Sequence, residues 1–182
     1  MKNTMTPLPY YLFLVGFMGT GKSTISFELS RLLQVSRIEM DQMIVDKEGM
    51  EITEIFSLHG EEYFRDLETG VLRELKEDET AVISCGGGIV LRRENIELMR
   101  KKGKIILLTA TPKTILSRIG KDNSRPNLKG RMSEEGIFEL MQKREEFYQA
   151  AAQITIKTDK KTPKEICEEI CSRISVFPEK NG

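Results

Sequence analysis

The sequence predicts an α/β fold in which a parallel β-sheet is covered by helices on both faces. Three observations carry that prediction. Five short β-rich runs, at residues 10–15, 37–40, 81–84, 104–108 and 153–157, alternate with stretches of helical periodicity, and strands that alternate regularly with helices are the pattern of βαβ units. The first run is continuously apolar from Tyr10 to Val15, as suits a strand buried on both faces. It leads at once into Gly16-Phe17-Met18-Gly19-Thr20-Gly21-Lys22-Ser23, which matches the phosphate-loop pattern G-x-x-x-x-G-K-[ST] between a strand and a helix.

The remaining elements follow in order. Over 22–34, Ile25, Leu29, Leu32 and Leu33 fall on one helical face. Helical stretches at 41–48 and 52–58 come next, the second ending at His59-Gly60. A longer helix over 61–76 carries the apolar stripe Phe64, Leu67, Val71 and Leu75. After the third strand, Ser84-Cys85-Gly86-Gly87-Gly88 forms a glycine turn, and helices are expected at 93–102, 112–119, 134–149 and 163–175. Residues 120–131 break the pattern: they are polar, contain Gly and Pro, and hold one isolated apolar residue, Leu128. Such a segment buries little and is expected to be a mobile loop, either a surface connector or a lid. Its arginines, Arg125 and Arg131, favour the lid.

The whole chain of 182 residues fits one domain. Lys+Arg and Asp+Glu are equal at 28 each, so the bulk charge does not suggest a nucleic-acid or anionic-membrane partner. No apolar run approaches the ~20 residues of a membrane span, and Met1-Lys2-Asn3-Thr4 leads into a strand without a signal-peptide pattern. The three cysteines make no even disulfide framework, so a reducing cytoplasm is expected, with a monomer as the default. Cys167 and Cys171 are one helical turn apart but lack further ligands for zinc. His59 is the lone histidine, which leaves little for a metalloenzyme or a Ser-His mechanism.

The loop pattern has a physical basis. Its backbone N–H groups must curl around a phosphate, and side chains in place of Gly19 and Gly21 would block the approach. The following helix then points unpaired N–H groups and its positive dipole end at the anion. Gly19, Thr20, Gly21, Lys22, Ser23 and Thr24 are therefore the expected nucleotide contacts, with Lys22 reaching the β- and γ-phosphates of ATP and the Ser23 hydroxyl ligating Mg²⁺.

An acceptor site is sought where polar residues interrupt apolar stripes. Glu68 lies within the 61–76 stripe, and Arg65 is one turn before it. Arg144 interrupts a stripe of Ile137, Leu140, Met141 and Tyr148. Two such arginines suit a carboxylate clamp. Each also has a plainer reading, snorkelling over the surface or a structural ion pair such as Glu61 with Arg65. Asp41 follows the second strand, at the sheet end where ligands of parallel α/β folds sit. It suits a base for an acceptor hydroxyl, and equally a helix N-cap. Gly86, Gly87 and Gly88 allow a ligand close to bare backbone.

Taken in order, the loop 16–23, the acids Glu39 and Asp41, Phe64-Arg65 with Glu68, the glycines 86–88, Arg125-Pro126 and Arg144 make the chain resemble the shikimate kinase family, from about Tyr10 to about Ile174. The resemblance implies a three-layer α/β/α P-loop kinase fold like that of nucleoside monophosphate kinases, with a five-stranded parallel sheet and a lid at about 120–131. It implies transfer of the ATP γ-phosphate to the 3-hydroxyl of shikimate. By the same resemblance, Arg65 and Arg144 hold the shikimate carboxylate, oriented by Glu68, and Asp41 binds ring hydroxyls as the expected base. Gly86, Gly87 and Gly88 line the pocket. Lys22 and Arg125 stabilise the transferring phosphoryl group, Arg118 stacks on adenine, and residues 158–163 form the adenine loop.

One departure stands out. The family usually shows Asp-x-Asp after the second strand, and this chain has Glu39-Met40-Asp41, so an altered Mg²⁺ interaction is expected. Two other readings are a kinase of another small acceptor such as gluconate, and a nucleotide-dependent regulatory protein. No Asn-Lys-x-Asp guanine motif is present.

Overall fold

The computed structural model describes residues 8–119 and 133–174. Within them run β1 (Tyr11–Val15), α1 (Lys22–Leu33), β2 (Ser36–Glu39), α2 (Met40–Glu48), α3 (Ile52–Glu74), β3 (Ala81–Ser84), a 3₁₀ turn (Ile89–Leu91), α4 (Arg93–Lys102), β4 (Gly103–Thr109), α5 (Pro112–Ile119), α6 (Glu134–Ala151), β5 (Ile154–Lys157) and α7 (Pro163–Ile174). The strands form one sheet in the order β2-β3-β1-β4-β5, with every pair parallel.

The position of β1 explains its composition. It is the central strand, and all five of its residues are buried. Because successive side chains point to opposite faces, Tyr11, Phe13 and Val15 enter one core layer with Ile83, Ile105 and Leu107. Leu12 and Leu14 enter the other with Val82, Ile106 and Leu108. The first layer is covered by Ile44, Ile55, Phe64, Val71, Met99 and Ile137 from α2, α3, α4 and α6. The second is covered by Ile25 and Leu29 of α1 and by Ile166 and Ile170 of α7. Each such side chain contributes roughly 1.5–3 kcal/mol on full burial.

Two local expectations need correcting. Leu32 is 48% exposed. The buried face of α1 is Ile25, Ser26, Leu29 and Ser30, and at 100° per residue Leu32 falls outside that arc. The two helices expected at 52–58 and 61–76 are present as the two arms of α3, which meet at a break at Gly60, whose φ of 82° and ψ of 175° only glycine adopts readily. Asp41 is not an N-cap: it lies in the first turn of α2, and the cap position is Glu39, whose side chain makes no capping bond. The expected lid, 120–131, lies outside the described residues.

The topology positions the site. β1 and β3 are neighbours, yet α1 packs on one face of the sheet and α4, through Met99, on the other. Connections leaving adjacent strands in opposite directions open a crevice at their carboxyl ends. The phosphate loop leaves β1 there, and the glycine turn leaves β3 beside it.

Candidate active site

The phosphate loop is shaped by glycines in conformations that other residues resist. Gly16, Gly19 and Gly21 have φ of 146°, 75° and 97°. A Cβ on Gly16 would also lie 2.4 Å from the Leu108 carbonyl oxygen. Thr20 Oγ1 donates to Phe17 O at 2.8 Å and braces the curl. Lys22 Nζ donates to Gly16 O at 2.8 Å and Phe17 O at 3.0 Å, which places its ammonium over the loop. No side chain caps α1, so its first N–H groups open toward the loop, as an anion requires.

Beside the loop lies a polar cluster. Ser23 Oγ donates to Glu39 Oε2 at 3.1 Å, and Ser26 Oγ donates to Glu39 Oε1 at 2.9 Å. Arg37 ion-pairs with Glu39 Oε1, and its Nε donates to Ser26 Oγ at 3.0 Å. Arg37 and Glu39, two apart on β2, face the same side. Glu39 is thus anchored through one oxygen and turned toward Ser23 with the other.

Across the cleft, Arg65 is only 7% exposed. Its Nη1 donates to Glu68 Oε2 at 2.7 Å and its Nη2 to Glu61 Oε1 at 2.8 Å. Arg65 is thus paired with both Glu68 and Glu61. Burial lowers the Arg65 pKa, but Glu68 and Glu61 outweigh it and hold the guanidinium charged. Burial raises the carboxyl of Glu68, and Arg65 offsets the rise only in part. The glycine turn fits around these groups. A Cβ on Gly88 would lie 2.2 Å from Arg65 Nη1, and one on Gly86 would lie 2.8 Å from Glu68 Oε1 and 2.9 Å from Asp41 Oδ1. Arg144 Nη1 and the Tyr148 hydroxyl both donate to Gly87 O, at 3.4 and 2.5 Å.

These groups open on one cleft of about 750 Å³, lined by Gly19, Gly21, Lys22, Ser23, Thr24, Glu39, Asp41, Arg65, Glu68, Gly86, Gly87, Gly88 and Arg144. A second cavity of about 440 Å³ shares Gly19, Gly21 and Thr24 with it and adds Thr20, Arg118, Lys161 and Pro163. Arg118 donates to Gly19 O, Thr158 Oγ1 and Thr158 O, each at 3.1 Å, which fixes the guanidinium between the phosphate loop and residues 158–163. Asp159 accepts from Thr111 N and Thr114 Oγ1 and holds that segment in place. Arg125 lies outside the described residues.

Sequence reasoning missed Arg37 and the polar role of Tyr148. Arg37 had a signal, its spacing of two from Glu39 on a strand. Tyr148 was placed in an apolar stripe, although its four-residue spacing from Arg144 puts its hydroxyl on the same face. Cys85 is fully buried in the turn, and burial pushes its thiol far up, so it is an inert packing residue. Among the described residues no His/Cys/Asp/Glu group of three or more could hold a metal, and no helix is long and apolar enough to cross a membrane.

A model of the shikimate kinase family matches residues 18–175. The chain belongs to the shikimate kinase family. The shikimate kinase of Sulfurihydrogenibium sp. strain YO3AOP1 is 40% identical over 163 residues, covering 90% of this chain and 96% of that protein. That of Caldanaerobacter subterraneus subsp. tengcongensis is 42% identical over 159 residues, covering 87% and 92%. Among solved structures, shikimate kinase from Acinetobacter baumannii in complex with shikimate superposes with a TM-score of 0.85 at 31% identity, covering 93% of this chain and 94% of that one. The enzyme from Aquifex aeolicus gives 0.76 at 34% identity, covering 91% and 96%. The fold is the P-loop kinase fold of that family. Membership also decides against the gluconate-kinase and regulatory readings.

Proposed function

We infer that this chain transfers the γ-phosphoryl group of ATP to the 3-hydroxyl of shikimate, giving shikimate 3-phosphate and ADP in the route to chorismate and the aromatic amino acids. The observation that carries this reading is the single cleft in which Lys22 and Ser23 face Asp41, Arg65 and Arg144, in a chain of this family. It joins a triphosphate cradle to a pair of guanidinium groups suited to a carboxylate.

In this reading the acceptor carboxylate lies between Arg65 and Arg144, whose planar forks match its geometry. The Gly86–Gly88 backbone allows the ring close to the turn. Asp41 accepts the hydrogen bond of the 3-hydroxyl and takes its proton as the oxygen attacks phosphorus. Lys22 stabilises charge on the transferring group, a role the family resemblance also gives to Arg125. Adenine stacks on Arg118 in the second cavity. The catalysis is mainly positioning and charge stabilisation.

Ser23 and Glu39 are hard oxygen donors whose oxygens lie 3.1 Å apart, and Asp41 opens on the same cleft. This donor set fits Mg²⁺, with Ser23 as direct ligand and Glu39 beside it. An ion held there would supply positive charge that offsets the charge of the bound triphosphate. The unit is taken as one domain over 1–182, a monomer working in the cytoplasm.

The test is ADP release from Mg·ATP with shikimate, beside gluconate and a panel of nucleoside monophosphates. Release with shikimate alone is expected. Release with another acceptor would overturn the acceptor assignment and leave the nucleotide site standing.

A further inference from the structure

The Gly87 carbonyl oxygen accepts two hydrogen bonds of unequal quality. Tyr148, one turn beyond Arg144 on α6, donates at 2.5 Å, and Arg144 Nη1 donates at 3.4 Å. The second distance is at the limit of a hydrogen bond. A carbonyl oxygen has two lone pairs and can accept both. Tyr148 is only 5% exposed, whereas Arg144 is half-buried and lines the cleft.

We propose that Tyr148 is a positioning residue for acceptor binding: its hydroxyl holds the Gly87 carbonyl, so that Arg144 can leave that oxygen for the acceptor carboxylate. The argument is one of satisfied groups. Gly87 is half-buried, and a carbonyl stripped of its donor where water is partly excluded costs more than an ordinary hydrogen bond contributes. With Tyr148 in place, Gly87 O keeps its shorter bond when Arg144 turns away. Without the hydroxyl, Arg144 is the remaining side-chain donor, and each binding event would strip the carbonyl. Burial pushes the Tyr148 pKa up to about 12, so the hydroxyl keeps its proton and remains a donor throughout the neutral range.

This inference rests on the reading of Arg144 as a carboxylate ligand, and the test separates the two. Tyr148→Phe, Arg144→Ala and the double variant are compared in KM for shikimate, KM for ATP, kcat and Tm. Tyr148→Phe keeps the buried ring, so the fold is retained. The expected result is a shikimate KM raised about 2–10-fold in Tyr148→Phe, as for one neutral hydrogen bond, with the ATP KM unchanged. In the double variant the effect of Tyr148→Phe should vanish, because the tyrosine acts through the arginine. An unchanged shikimate KM in Tyr148→Phe beside a raised one in Arg144→Ala overturns the positioning role alone. So do fully additive effects, or a lower Tm with both KM values raised alike. An unchanged KM in Arg144→Ala overturns the carboxylate reading, and the inference with it.

Discussion

Arg65 Nη1 donates to Glu68 Oε2 at 2.7 Å, while the other oxygen of that carboxylate, Oε1, is buried without a hydrogen-bond partner. Native structures rarely leave such an atom unpaired. A Cβ on Gly86 would meet this oxygen at 2.8 Å and Asp41 Oδ1 at 2.9 Å, so both carboxylates lie against the turn. Keeping Glu68 ionised there is costly, and the ionised form is the one that holds Arg65 in the cleft.

The first prediction concerns pH. Burial raises the Glu68 pKa, and Asp41 adds to the rise. A carboxyl with a raised folded pKa binds its proton more tightly folded than unfolded. Glu68 therefore favours folding below its unfolded value of about 4.3, and that contribution is lost as pH rises through the folded value. Glu68→Gln removes the titration. Its Tm relative to wild type should rise as pH increases from about 4 upward, while its shikimate KM increases because Arg65 is less firmly held. Thermal melts across this range check the sign; a relative Tm that falls with pH contradicts it.

The glycine turn gives a second prediction. A Cβ at Gly88 would overlap Nη1, Cζ and Nη2 of Arg65. An arginine with free rotamers could move aside, but this one is held by Glu61 and Glu68. Gly88→Ala should raise the shikimate KM roughly 10-fold or more, the scale of a lost hydrogen bond to a charged group. The ATP KM should change little. Arg65→Ala should give a similar pattern, and steady-state kinetics with both substrates varied distinguishes it from a general loss of activity.

How much of this was legible in the sequence follows from where the constraint resides. The phosphate loop was legible because backbone geometry dictates its glycines and ionic chemistry its Lys22 and Ser23. Arg65, Glu68 and Arg144 were legible as polar residues on apolar faces, and in the structure Arg65 and Glu68 are buried and Arg144 half-buried. Leu32 misled because periodicity alone does not locate the edge of a buried arc. The pairing of Tyr148 with Gly87 joins residues far apart in the chain, and no local pattern encodes it. Arg37 was passed over because charge on an edge strand is ordinarily a solvated face.

A third prediction isolates the chemical step. Lys22 Nζ is placed over the loop by Gly16 O and Phe17 O, carbonyls that it can exchange for phosphate oxygens. Lys22→Ala should lower kcat about 10²–10³-fold, the usual cost of losing one preorganised charge donor. Its shikimate KM should change far less, because the proposed acceptor contacts lie on α3, α6 and the glycine turn. Single-turnover phosphoryl transfer with saturating ATP measures the step directly, and a kcat near wild type would remove Lys22 from it.

The last prediction concerns the carboxylate beside Ser23. Glu39 reaches Ser23 with Oε2 because Ser26 and Arg37 hold Oε1. The longer side chain is thus matched to a partner set that spans β2 and α1. Glu39→Asp would withdraw the carboxylate by about 1.5 Å, one carbon–carbon bond, so it could not keep both Ser23 and the Arg37–Ser26 anchor. The variant should therefore need a higher Mg²⁺ concentration for half-maximal activity, and should bind Mn²⁺ with ADP more weakly in an electron paramagnetic resonance titration. Arg37→Ala frees the same carboxylate without shortening it. It should shift the Mn²⁺ titration in wild type but not in a Glu39→Gln background, where no ion pair remains to lose. Metal responses identical to wild type in Glu39→Asp would mean that Glu39 makes a surface ion pair and has no part in metal binding.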